Sequence, residues 1–325
     1  MGQAQYQHYQ ITWFHKYLIA SLSKQYNQHS MDRKRITAYI EVTFAVIVWG
    51  VSFIATKLAL RDLAPVTVVW LRFAIGVIIL GIVTTLRHQM SFPKKQDWIY
   101  LAILGFLGIT FHQWLQSTAL VTAQASTTAW IVATTPVFIA ILGRIFLREK
   151  LGWLQVFGII LAAAGVLLVV SKGNLSVLIN GHFGEPGDIL ILISALNWAV
   201  FSILSTRGLQ EQQATQMMFF VMLIGWLFTS VLFFTTGNIE DIGNITLTSL
   251  IGVSFLGIFC SGLAYLAWYD GLQAVPASQI GAFLYIEPLV AVIVAWPILG
   301  EELLPVSLVG GAIILLGVRL VQKLS

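Results

Sequence analysis

The sequence predicts an all-α integral membrane fold, with ten transmembrane helices in two inverted-topology five-helix repeats. Three observations predict it: too little polar sequence to coat a soluble domain, apolar stretches long enough to span a bilayer as helices, and an internal repeat at a shift of 152 residues. Hydrophobic residues make up 58% of the 325-residue chain and charged residues 10%, against about 25% charged in a soluble domain. Mean hydropathy is +0.84, so lipid must solvate most of the surface. In lipid, backbone polar groups are satisfied only in helices or closed barrels, and barrel strands alternate apolar with polar residues. Trp153 to Val170 is apolar on both parities, which leaves helices.

A span needs about 20 apolar residues. Helix 1 (38–60) follows the basic run Arg33-Lys34-Arg35 and stops at Arg61-Asp62-Leu63-Ala64-Pro65. Helix 2 (65–86) opens on that proline, and helix 3 (97–118) follows Ser91-Phe92-Pro93-Lys94-Lys95. Helix 4 (123–146) ends in the charged turn Arg148-Glu149-Lys150-Leu151-Gly152, and helix 5 (153–171) runs to the Gly- and Asn-rich stretch that ends at Gly187. Helices 6 to 10 are predicted at 188–207, 215–236, 247–270, 277–299 and 304–322. The expected units are a polar N-terminal extension (1–37), a first repeat (38–171), a linker loop (172–187) and a second repeat (188–322). Within the extension, Ile11 to Leu22 is short and interrupted by His15 and Lys16, so it is not read as a signal peptide. Met31 is an alternative start.

Cationic residues set the orientation. Arg33, Lys34, Arg35, Arg87, Lys94, Lys95, Arg144, Arg148, Lys150, Arg207, Arg319 and Lys323 fall on one side, and Arg61 and Lys172 on the other. A multi-pass protein of the inner (plasma) membrane with both termini cytoplasmic is therefore expected. The formal charge of +4 is spread over short loops, so no nucleic-acid partner is implied. The single cysteine, Cys260, lies in an apolar span and forms no internal disulfide.

Under the 152-residue shift, residues 120–170 fall on 272–322, with identities at Ala125/Ala277, Ser126/Ser278, Pro136/Pro288, Glu149/Glu301, Gly158/Gly310 and Gly165/Gly317. Proline, glutamate and glycine are dictated by backbone geometry, so their coincidence means more than matched apolar residues. Five helices per unit is odd, so the second unit must run inverted, an arrangement common in secondary transporters.

Residues 38–322 also resemble the EamA-type family of the drug/metabolite transporter superfamily. The echoes are WGVSFIATKLALRDLAPVTVVWLRF from Trp49, GDILILISALNWA from Gly187, LAYLAWYDGLQAVPAS from Leu263, and Glu287-Pro288 followed by Leu299-Gly300-Glu301. The resemblance implies ten helices, two EamA repeats, and export or exchange of amino acids or related small metabolites. A non-transporting receptor or scaffold is the alternative, but the loops are too short for a sizeable soluble surface. HExxH, GxSxG and P-loop patterns are absent, so no enzyme, catalytic residue or cofactor is expected, and ATP does not drive the protein directly. The partners expected are a small-molecule solute and membrane lipid, with a proton gradient or passive exchange as the energy source.

Ionisable groups within spans are costly and usually face a cavity or a partner. Glu287 is the deepest, beside Pro288, which frees a carbonyl one turn back. It is read as lining a cavity, binding an ammonium group or a proton, or as a structural group at a kink. Pro136 marks the equivalent break in helix 4. Lys57 and Arg72 lie toward the predicted outer ends of helices 1 and 2, where long side chains can snorkel to water. Their match to the family's opening motif suggests a role in holding those helices or attracting a carboxylate. His112 and Gln116, four apart, share a face of helix 3, and no second ligand is spaced for a metal beside His112. Trp130, Asn197, Tyr265 and Tyr285 complete the cavity candidates, whereas Trp268 and Tyr269 read first as interfacial anchors. The threonines at 127, 128, 134 and 135 can bond backbone carbonyls. Gly158, Gly165, Gly310, Gly311 and Gly317 point to close packing of helices 5 and 10, within the chain or in a homodimer.

Overall fold

A computed structural model describes residues 34–146, 152–174, 184–236, 238–275 and 280–322. Residues 1–33 of the N-terminal extension, the centre of the linker and most of the 148–152 turn lie outside the described residues, and residues 34–37 of the expected extension are the first turn of a helix. Among those described, nine helices are long and apolar enough to cross a membrane: α1 (Lys34–Ala59), α2 (Pro65–Leu86), α3 (Lys95–Ala119), α4 (Ala125–Phe146), α5 (Trp153–Val170), α6 (Pro186–Glu211), α7 (Ala214–Thr235), α8 (Leu247–Ala274) and α10 (Pro305–Gln322). A shorter apolar helix, α9 (Phe283–Leu299), is the tenth. The order is that predicted and the spans lie close to the predicted ones, except that α9 begins at Phe283, while the predicted start at 277 lies outside the described residues; the chain is a multi-pass, all-α membrane protein.

The helix ends follow local chemistry. Proline stands first in α2 and α6, where its missing N–H costs nothing. Asp241, in the connection before α8, accepts from Ala64 N (2.9 Å) and Thr67 Oγ1 (2.6 Å) and so satisfies donors at the start of α2. Gly300 ends α9 in the left-handed conformation, φ 69°, which glycine adopts without steric cost.

The two halves interleave. α2 packs on α7 and on α8, while α7 packs on α3; α6 packs on α3 and α4. Pairing α1 with α6, α2 with α7 and α3 with α8 under the repeat, the α2–α8 contact has α7–α3 as its counterpart. The counterpart of α6–α3 is α1–α8, seen where Trp49 Nε1 donates to Cys260 O at 3.2 Å. The counterpart of α6–α4 is α1–α9, where a Cβ on Gly50 would come within 2.7 Å of Glu287 O.

The repeat glycines hold α5 against α10. A Cβ on Gly158 would sit 2.6 Å from Gly317 O, and one on Gly165 would sit 2.8 Å from Gly310 O. The paired numbers run in opposite senses, so the helices are antiparallel, as an odd-numbered repeat demands. Backbones this close gain dispersion contact that lipid cannot replace. The scaffold role expected of these glycines lies within the chain.

Candidate functional site

The most concentrated buried polar chemistry surrounds Arg72. It sits two turns into α2, 4% exposed, and donates through Nε to Ser261 Oγ and through Nη1 to Gln113 Oε1, both at 3.0 Å. Its guanidinium carbon lies 5.0 Å from the Phe73 ring centroid. Arg72 does not snorkel to water. Its stem is too deep among α3 and α8, and the helix points it inward.

Two helix distortions build the surroundings. Phe106–Phe111 in α3 and Leu256–Leu263 in α8 are π-helical, and shifting 106–111 by 152 gives 258–263, inside the second segment. A π turn inserts a residue, re-aims the side chains that follow and leaves carbonyls without their usual partners. Side chains from the interleaved half reach carbonyls in both segments. Asn197 Nδ2 on α6 donates to Leu107 O at 2.8 Å, and Trp49 on α1 donates to Cys260 O. His112, just beyond the first π turn, has Nδ1 2.9 Å from Ser194 Oγ, and its ring centroid lies 4.6 Å from Trp198.

Arg72, His112, Asn197 and Tyr265 are thus brought to one polar layer between α2, α3, α6 and α8. Tyr265 is 4% exposed and edge-on to Trp49, with ring centroids 5.7 Å apart. Gln113 and Ser261 were not among the cavity candidates. His112 and Gln116 lie in one regular helical stretch, His112–Ala119, and Gln116 is half-buried and makes no side-chain hydrogen bond among the described residues. Trp268 packs on Trp49 at 5.2 Å, and Tyr269 is buried beside Tyr265. Neither is an interfacial anchor, because the α8 face that carries them turns toward α1, α2 and α7.

Glu287 opens the regular part of α9, after a 3₁₀ turn at Ala282–Tyr285. It is half-buried and has no hydrogen bond or ion pair among the described residues. The Cys260 thiol on the α8 π segment lies within electrostatic reach of both Arg72 and Glu287. The matching break in α4 falls at residues 133–134. There Thr135 Oγ1 donates to Val132 O at 2.7 Å, the carbonyl that Pro136 cannot serve, and Thr134 Oγ1 donates to Ile131 O at 2.6 Å. Thr128 Oγ1 is buried without a partner among the described residues. Trp130 lies away from the Arg72 layer, flat against Gly311 of α10, and its Nε1 has no partner among the described residues. Tyr285 is also distant and hydrogen-bonds Gln322.

Lys57 belongs to one end of the bundle. Its Nζ donates to Ala123 O at 2.6 Å. Glu301 accepts from Ala125 N (2.7 Å), Ser126 N (3.0 Å) and Ser126 Oγ (2.6 Å), capping the start of α4. The sequence flagged Glu301 as half of a repeat pair and as part of a family echo, not as a helix cap. A cavity of about 670 Å³ opens here, lined by Lys57, Arg61, Gln124, Lys172, Glu301 and Glu302 among others. At the other end, Arg87 and Asp270 form a two-pronged ion pair at 2.7 Å, and the carboxylate holds the Arg87 guanidinium above its ordinary value. Among the described residues no three His, Cys, Asp or Glu side chains gather as a metal site.

Comparison with known proteins agrees with this architecture. A solved crystal structure of a protein superimposes with a TM-score of 0.61 at 18% identity, over 88% of this chain and 96% of that one, a likeness of fold. An uncharacterized transporter of Archaeoglobus fulgidus is 25% identical over 87% of this chain and 96% of its own length. The uncharacterized transporter YdfC of Bacillus subtilis is 26% identical over 89% and 92%. A protein of Streptantibioticus cattleyicolor named a probable terminal-alkyne amino-acid exporter is 24% identical over 87% and 92%. The family model for EamA-like transporters matches twice, at residues 36–171 and 185–322. With both matches covering the interleaved halves in order, the chain belongs to the EamA-like transporter family.

Proposed function

We propose that the protein is a secondary transporter of the plasma membrane, with both termini cytoplasmic, that exports amino acids or related small metabolites by alternating access. The observation that carries this reading is the exchange of partners between the two halves around one buried polar layer. The contacts α2–α8, α6–α3 and α6–α4 have counterparts in α7–α3, α1–α8 and α1–α9, so the halves can trade conformations and open the same layer to either side. The distribution of Lys and Arg supports the orientation. The relative named as an amino-acid exporter supports the solute class. Glu287, half-buried and unpaired among the described residues, is the group proposed to meet a solute ammonium or a coupled proton.

The test is a resistance screen. Cells overproducing the protein should survive toxic amino-acid analogues that kill the parent strain, and should lose preloaded radiolabelled amino acid faster. Unchanged survival and unchanged efflux, with the protein verified in the membrane, would contradict the proposal.

A further inference from the structure

Arg72 presents a charge problem that the chain itself leaves open. The guanidinium is 4% exposed and lies within a membrane span. No carboxylate oxygen comes within 4.0 Å of it among the described residues. Its two hydrogen bonds go to neutral oxygens, Gln113 Oε1 and Ser261 Oγ. A guanidinium carries five N–H donors, and both on Nη2 donate to nothing among the described residues. Yet Nη2 is not one of the sealed, unsatisfied atoms of the interior. A buried cation held only by neutral partners is costly, and an anion that reaches it recovers much of that cost. The planar fork of an arginine matches a carboxylate better than any other small anion-binding side chain does.

The neighbourhood narrows the class further. Phe73, Tyr265 and, beyond it, Trp49 give the layer aromatic walls. Glu287 of α9, without a hydrogen bond or ion pair among the described residues, offers the ammonium of a solute a carboxyl group to meet. We propose that Arg72 is the anchor for the carboxylate of the transported solute, and that this solute is an amino acid with an apolar side chain. The proposal rests on the transport reading above and assigns its polar contact. Gln113 and Ser261 act as positioning residues: they hold Nε and Nη1, and they leave Nη2 as the arm that meets the solute.

The test uses the full chain in proteoliposomes and four related probes: L-phenylalanine, L-phenylalaninamide, phenethylamine and 3-phenylpropionate. In counterflow, the wild-type protein should exchange L-phenylalanine at least about tenfold faster than the two probes that lack a carboxylate, because a site built around a polar contact rejects analogues that lack it. Arg72→Gln should abolish that preference. Arg72→Lys, a point charge without the fork, should keep a reduced preference. If Arg72→Gln fails to insert, the wild-type probe ratio and the Arg72→Lys ratio decide. Equal exchange of L-phenylalanine and L-phenylalaninamide by wild type, or an undiminished preference in Arg72→Gln, overturns the anchor and leaves transport standing. If none of the four probes exchanges, the anchor is also overturned, and transport is then judged by the resistance screen alone.

Discussion

Removing the Glu301 carboxylate should loosen the end of the bundle that the charge pattern assigns to the outside. Glu301 makes three hydrogen bonds to the start of α4, at 2.7, 3.0 and 2.6 Å, and Lys57 holds the preceding carbonyl of Ala123. Hydrogen bonds to a charged group contribute about 1.5–3 kcal/mol each when taken singly, but they are not additive and this site is partly open to water. Loss of a good helix cap costs about 0.5–2 kcal/mol. A value of about 2 kcal/mol for Glu301→Ala is consistent with both. It corresponds to about a 30-fold shift between closed and open outer ends. Glu301→Gln keeps an acceptor but no charge, and should move the balance about half as far in free energy.

The reporter is a cysteine at Ala125, which is 0% exposed beneath the Glu301 contact. Its background should carry Cys260→Ala, since Cys260 is the only natural cysteine. In intact cells, a membrane-impermeant maleimide should label Ala125→Cys about 30-fold faster when Glu301 is alanine. Rates within about threefold of each other would refute the idea that Glu301 latches this end.

Three further outcomes follow from the same geometry. Glu287→Gln should lower amino-acid counterflow while leaving membrane insertion intact; wild-type turnover would remove Glu287 from the mechanism. Gly165→Leu should drive a side chain into Gly310 O of α10, costing about 1–3 kcal/mol or more by overpacking; an unchanged melting temperature in detergent would contradict the tight α5–α10 contact. Asn197→Ala should remove the side-chain donor to Leu107 O, which keeps its backbone donor at the end of the π turn, costing about 0.5–1.5 kcal/mol and lowering the melting temperature by more than Asn197→Gln does; equal stability of Asn197→Ala and wild type would show that the π turn needs no side-chain donor.

Much of the architecture was legible because it rests on run length and on residues tied to the backbone. Apolar stretches gave the spans, and Gly158, Gly165, Gly310 and Gly317 gave the α5–α10 contact before any coordinates. The side-chain directions were not legible, for a physical reason. α2 exposes Ile78 and Ile82 to lipid and buries Val68, Val69 and Phe73, so both faces are apolar and periodicity cannot say which way Arg72 turns. The π segments were equally hidden: each re-aims the residues after it, so spacing alone did not show that Gln113 meets Arg72. Glycines 108, 257 and 262 inside those segments are the nearest thing to a signal. The aromatic residues at 268 and 269 look interfacial by position alone, and only the α1–α8 packing makes them interior.

The central claim is that two halves of one pattern cross the membrane in opposite senses. Gly152 and Leu304 are equivalent under the 152-residue shift, at the starts of α5 and α10. Single cysteines at these positions, in the Cys260→Ala background, should be labelled from opposite faces: Gly152→Cys from the cytoplasm and Leu304→Cys from outside. Labelling of both from the same face would contradict the inverted repeat and the alternating-access mechanism built on it.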